Sequence, residues 1–171
     1  KNPSSLTMAK AYGQFFERFD NGKMQHLDSA FHYLNLVKVK DSEYWKTSVY
    51  LNFMKGNFSE VLEAGNRLGV GNWDAWTSYR MGETQHEMGM LSEAVTSLKM
   101  AVKHQPRNLE FQNKLAAYLM ESQDFTSAKK TLEWIIQENP KEVQALNNLG
   151  FLLLQSGNGA KAGECYRKAL A

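Results

Sequence analysis

Leu146-Asn147-Asn148-Leu149-Gly150, followed by Gly157, Ala162, Tyr166 and Ala169, is the stretch on which the fold turns. Its landmarks recur upstream at an interval of 34 residues. Leu149 follows Leu115 and Met81, and Gly150 follows Ala116 and Gly82. Ala162 follows Ala128 and Ala94, while Tyr166 follows Leu132 and Leu98. Pro106 and Pro140 stand at the same spacing. A fixed period, small residues at two set places and a closing proline together signal a repeat architecture. Small residues are required where two helices approach closely, because a larger side chain would leave voids in a close-packed core.

Working outward, residues 75–108 form one unit, with a first helix from Ala75 to Met88 and a break at Gly89. A second helix runs from Leu91 to Lys103, its face carried by Ala94, Leu98, Ala101 and Val102 at spacings of three and four. Pro106 then stops propagation. Residues 109–142 repeat the plan, and residues 143–171 repeat it again but end without a closing proline or a polar capping helix. Upstream the beat weakens. Trp45, Gly56, Asn57 and Phe58 fit a divergent unit over 42–74, one residue out of step, with Val61 in place of alanine and Gly69-Val70-Gly71-Asn72 in place of proline. Residues 1–41 read as a degenerate helical pair or an N-terminal cap, split near Asp20-Asn21-Gly22. Its apolar residues are Tyr12, Phe15, Phe16 and Phe19, then Leu27, Phe31, Leu34 and Val37.

The formal net charge of +2 leaves no repeat-sized block far from neutral, so there is no concentrated basic footprint for nucleic acid. One cysteine, Cys165, excludes an internal disulfide framework and a cysteine-based zinc site. No apolar run approaches the length needed to cross a membrane. Compartment is not assigned by the sequence; cytoplasm is the default and periplasm stays open.

Catalytic signals are thin. His26, His32, His86 and His104 show neither i,i+4 pairing nor an HExxH arrangement, so no metal site is expected. No phosphate-binding glycine loop is present, and Ser156-Gly157 reads as a helix-ending turn instead of a nucleophile elbow. Cys165 lies beside the inward-packing Tyr166 and reads as a semi-buried structural thiol. No enzyme activity and no cofactor are expected.

The landmarks resemble the tetratricopeptide repeat (TPR) family, whose pattern runs W-x2-L-G-x2-Y, A-x3-F, P. The resemblance is strong over 75–171, fair over 42–74 and weak before that. It departs where Gln85 stands for tyrosine and Ala116 for glycine, and where tryptophan is absent from the fourth place of the last three units. It implies an all-α, right-handed superhelical solenoid of antiparallel helix pairs. It also implies a concave groove lined by set places of each first helix. Carried onto this chain, those places are Lys46, Tyr50, Trp76, Tyr79, Arg80, Glu83, Asn113, Lys114, Asn147, Asn148 and Phe151. Thr47 stands in the same rows.

The chemistry of that lining suits a polypeptide. Asparagine can pair with both backbone groups of an extended peptide, arginine and lysine hold carboxylates, and Trp and Tyr supply flat apolar area. A partner's C-terminal carboxylate fits poorly, since Glu110 would repel it and Tyr50 and Arg80 stand where clamp-type adaptors carry other residues. The expected function is a protein-interaction scaffold that binds a peptide segment or helix of a partner, with no nucleic acid and no membrane insertion. The alternatives are self-assembly through the open C-terminal end, or the non-catalytic part of a larger enzyme or secretion component. The missing cap leads to the expectation that the parent chain continues past Ala171.

Overall fold

The computed structural model describes residues 4–19 and 25–171, which fall into two compact units, Lys1–Met90 and Leu91–Ala171. The described residues hold α-helices, one 3-10 turn and no strand, so the all-α expectation is met. The first unit contains α1 (Ser5–Phe19), α2 (Gln25–Asn35), α3 (Ser42–Lys55), α4 (Phe58–Leu68), a 3-10 turn at Val70–Asn72, and α5 (Ala75–Glu87). Helices α1 and α2 pack as an antiparallel pair and α3 and α4 as another; α1 and α2 both rest on α3, and α3 and α4 on α5. The second unit contains α6 (Leu91–His104), α7 (Leu109–Glu121), α8 (Phe125–Glu138), α9 (Val143–Gln155) and α10 (Gly159–Ala169). There α7 pairs with α8 and α9 with α10, while α6 packs on α7 and α8 on α9.

Helix starts follow from capping. The Asp41 carboxylate accepts from Tyr44 N–H (2.9 Å) and Asp74 from Thr77 N–H (2.8 Å). The Asn108 side chain accepts from Glu110 and Phe111, and Asp124 from Ser127. Each satisfies an N–H that has no partner within its own helix. At the other ends, Gly56, Gly89 and Gly157 adopt φ of 75–77°, which glycine tolerates without a Cβ clash. Gln123, 34 residues after Gly89 and 34 before Gly157, adopts φ 62° with a side chain present. The turn geometry is therefore retained where the residue best suited to it is missing.

The small places are buried. Ala94, Ala116 and Ala128 are fully buried, as are Gly82, Gly150 and Ala162. A Cβ on Gly150 would lie 2.7 Å from Tyr166 Cε1 and 2.9 Å from its Cζ. In the first unit a Cβ on Gly65 would run into the thioether of Met81. The Gly65 carbonyl also accepts the Trp73 indole N–H at 3.0 Å, which buries that tryptophan between α4 and α5. Val61, which takes an alanine's place, is fully buried.

The N-terminal core gathers Ala9, Leu27, Ala30, Leu34, Tyr44 and Leu51, with Phe31 and Val37 packed against it. Tyr12 stacks on Tyr33 at 5.5 Å. Phe15, an expected apolar residue, stays 46% exposed and meets His26 edge-on at 4.7 Å. The split at Asp20-Asn21-Gly22 and the side chains of Phe16 and Phe19 lie outside the described residues.

Gly150→Ala is expected to lower stability by up to about 2.5 kcal/mol, an overpacking cost of ~1–3 kcal/mol against a stiff ring less the ~0.5–1 kcal/mol that alanine gains over glycine in a helix. Chemical denaturation measures it, and an unchanged midpoint would show that the ring swings aside freely. Gln123→Gly is expected to raise stability by about 0.5–1 kcal/mol by relieving the left-handed backbone. A lower thermal midpoint would contradict this.

Candidate functional site

Three helices of the N-terminal unit present adjoining faces. On α1 the face carries Lys10, Gln14 and Glu17; on α3, Glu43, Lys46, Thr47 and Tyr50; at the start of α5, Asp74, Trp76, Thr77 and Arg80. Together they line a cavity of about 420 Å³. The residues that face each other are 33 apart in sequence. Lys10 Nζ donates to Glu43 Oε2 at 2.6 Å, and the Tyr50 hydroxyl donates to Glu17 Oε2 at 2.8 Å.

From these pairs a charge chain runs along one wall. Glu43 accepts from Lys10 and, at 3.4 Å, from Lys46, whose ammonium lies 3.6 Å from Asp74 Oδ2. The hydrogen bond from Lys10 is the main cause that holds the Glu43 carboxyl below the usual carboxylate range. Burial works to raise Asp74, but hydrogen bonds from Thr77 and the charge of Lys46 outweigh it and leave the carboxyl below its ordinary value. Aromatic side chains complete the lining. Burial, and then the bond to Glu17, push the Tyr50 hydroxyl far above the usual phenol range, so it stays a donor. The Arg80 guanidinium lies 4.8 Å over the Tyr50 ring and 5.4 Å over the Trp76 ring. Trp76 in turn meets Tyr79 edge-on at 5.8 Å and 80°.

Of the sequence-predicted residues, Lys46, Tyr50, Trp76 and Arg80 thus converge on one cavity. Tyr79 is buried and meets the Trp76 ring edge-on, and Glu83 lies further along α5, outside the lining. In the second unit, Asn113 and Lys114 sit half-buried on α7. The Asn113 Oδ1 is buried without a hydrogen-bond partner, and the Lys114 ammonium lies 5.9 Å over the Tyr118 ring. Asn147, Asn148 and Phe151 lie along α9, with Phe151 exposed. None of these five lines the cavity of about 240 Å³ in that unit, which is floored by Ile136, Leu146, Leu149, Leu153 and Cys165.

Lys10, Gln14, Glu17, Glu43, Asp74 and Thr77 were not among the predicted residues. A 33-residue step finds four of them: Lys10, Glu43 and Trp76 form one row, Gln14, Thr47 and Arg80 the next, and Glu17 stands 33 before Tyr50; Asp74 and Thr77 have no such mate in the lining. Among the described residues, no group of three or more His, Cys, Asp or Glu is placed to hold a metal ion. No helix among them is long and apolar enough to cross a membrane.

Residues 143–171 match the family described as Tetratricopeptide repeat. No curated protein sequence matches the chain. Among solved structures, the chain is similar to MamA at 16% identity, with 92% of each chain covered and a TM-score of 0.77. It is similar to MamA residues 41 to the end from Desulfovibrio magneticus RS-1 at 14% identity, with 98% and 94% covered and a TM-score of 0.77. It is also similar to YrrB, described as a TPR protein with an unusual peptide-binding site, at 16% identity, 97% and 83% coverage and a TM-score of 0.74. At these identities the likeness is one of fold. Residues 143–171 thus carry a tetratricopeptide-repeat match in sequence, and the fold of these solved structures is shared along nearly all of the chain.

Asp74→Asn keeps an acceptor for Thr77 N–H while removing the titration. Because the folded Asp74 is depressed below its ordinary 3.8, its contribution is complete above that value and lost as pH falls through the lowered folded value. The acid limb of a plot of Tm against pH is therefore expected to be shallower in the variant below about pH 4. An identical acid limb would remove Asp74 from the cause of acid sensitivity.

Proposed function

We propose that the chain is a protein-interaction scaffold that binds a peptide segment or helix of a partner on the faces of its first helices. The observation that carries this reading is the convergence of α1, α3 and α5 on one cavity, lined by paired charges and a ring–guanidinium stack. Polypeptide recognition uses such a combination: aromatic and arginine anchors for contact area, and polar side chains for orientation. On α7 and α9, Asn113, Lys114, Asn147, Asn148 and Phe151 offer amide, cationic and aromatic groups of the same kind. The peptide-binding site named for YrrB, a protein of this fold, agrees with the reading. The family's usual role as a non-catalytic scaffold agrees with it too.

Self-association is the second reading. Val143 (51%), Phe151 (44%) and Leu154 (55%) leave apolar surface exposed on α9, and burial of such side chains drives association.

The test starts from peptides selected on the chain from a random-peptide display library. The triple variant Arg80→Ala, Lys114→Ala, Asn148→Ala is expected to lose at least about tenfold in affinity for them, as truncation of anchor residues does. Its helical circular dichroism should be unchanged. Retained affinity would exclude the first-helix faces, and concentration-dependent light scattering by the wild type would favour the second reading.

A further inference from the structure

We infer that the cavity between α1, α3 and α5 seats an aromatic side chain from an uncharged stretch of the partner polypeptide. This rests on the scaffold reading and goes further by naming the chemistry of one subsite.

Charge balance is the first argument. The lining has three cations, Lys10, Lys46 and Arg80, and three anions, Glu17, Glu43 and Asp74. The four that form the Lys10–Glu43–Lys46–Asp74 chain already neutralise one another. A charged ligand group would have to break one of these pairs or be desolvated beside a like charge, and either outcome weakens binding. A neutral group meets no such penalty. The second argument is the stack. Arg80 lies over both Tyr50 and Trp76, and Tyr79 buttresses Trp76 edge-on, so the array is ordered before any ligand arrives. Trp76 nevertheless remains 40% exposed. A further ring extends such an array with the offset or edge-on geometry that aromatic groups prefer, whereas an aliphatic side chain gains only burial. The third is size. A cavity of about 420 Å³ lies toward the lower end of the ~300–1,000 Å³ typical of ligand sites, which suits one large side chain and its adjoining backbone. The exposed Gln14 amide at the rim can both donate to and accept from that backbone.

The probes are blocked pentapeptides, acetyl-Gly-Asn-X-Asn-Gly-amide, with X as Phe, Leu, Glu or Lys, titrated into the full chain. The readout is the indole N–H resonance of Trp76, assigned by its loss in Trp76→Phe. The Phe peptide is expected to move this resonance and to bind about fivefold tighter than the Leu peptide, with the Glu and Lys peptides weaker still. Trp76→Ala should abolish the preference for Phe, and Trp76→Phe, followed by calorimetry, should keep it. Glu43→Gln leaves the cavity with an excess positive charge and should improve the Glu peptide relative to the Lys peptide. Equal binding of the Phe and Leu peptides, or tighter binding of either charged peptide to the wild type, overturns the inference. If display-selected peptides bind while the Phe preference is absent, the subsite assignment fails and the scaffold reading stands. If neither set binds, the scaffold reading fails and takes the subsite with it.

Discussion

Everything in this molecule depends on how closely its helices can approach at a few small residues. Gly150 leaves room for the Tyr166 ring, and Gly65 for the Met81 thioether. A Cβ on Gly13 would lie 2.6 Å from a Leu51 methyl and 2.7 Å from Tyr50 Cε1. In a close-packed interior a single added carbon at such a contact must displace a neighbour. The third of these contacts bears directly on function, because Gly13 lets the Tyr50 ring lie against α1 while its hydroxyl reaches Glu17 one turn further along.

Close approach also sets the register from which the candidate site is built. With α1, α3 and α5 held side by side, residues 33 apart in sequence come within hydrogen-bonding distance, as Lys10 and Glu43 do. Pairs of this kind contribute little to stability where they are exposed to solvent, roughly 0–1 kcal/mol each. Their consequence is electrostatic: the cavity wall is dense in charge yet balanced, and its remaining free contact area is aromatic. Asp74 belongs to both levels, since one carboxylate starts α5 through Thr77 and closes the charge chain through Lys46.

Much of the fold was legible because it is local and repeated. From Ala75 onward the period is carried by alanine, glycine, leucine and proline at positions where sterics allow few substitutes, and the helices fall where those residues place them. Before Asp41 the same arrangement was hard to read. The small residue in contact there is Gly13, flanked by Tyr12 and Phe15, so aromatic bulk hid the pattern. The site followed the same divide. Lys46, Tyr50, Trp76 and Arg80 could be named from their places in recognisable repeats, whereas Lys10, Gln14 and Glu17 belong to the helix whose repeat identity was blurred.

From Ala75 onward the sequence by itself determined the helix pairs, their ends and the small buried places, because each follows from constraints within one or two turns or at a fixed interval; the Gly13 and Gly65 contacts came only with the structure. It also determined which residue types stand at the surface places of each first helix. Tertiary structure alone decided how those side chains use one another. It set Tyr79 edge-on to Trp76, laid Arg80 across two rings, and bound Lys10 to a carboxylate 33 residues away. The physical reason is range. Capping and packing periodicity act along the chain, whereas ion pairing and ring stacking depend on distances of a few ångströms between helices that are far apart in sequence.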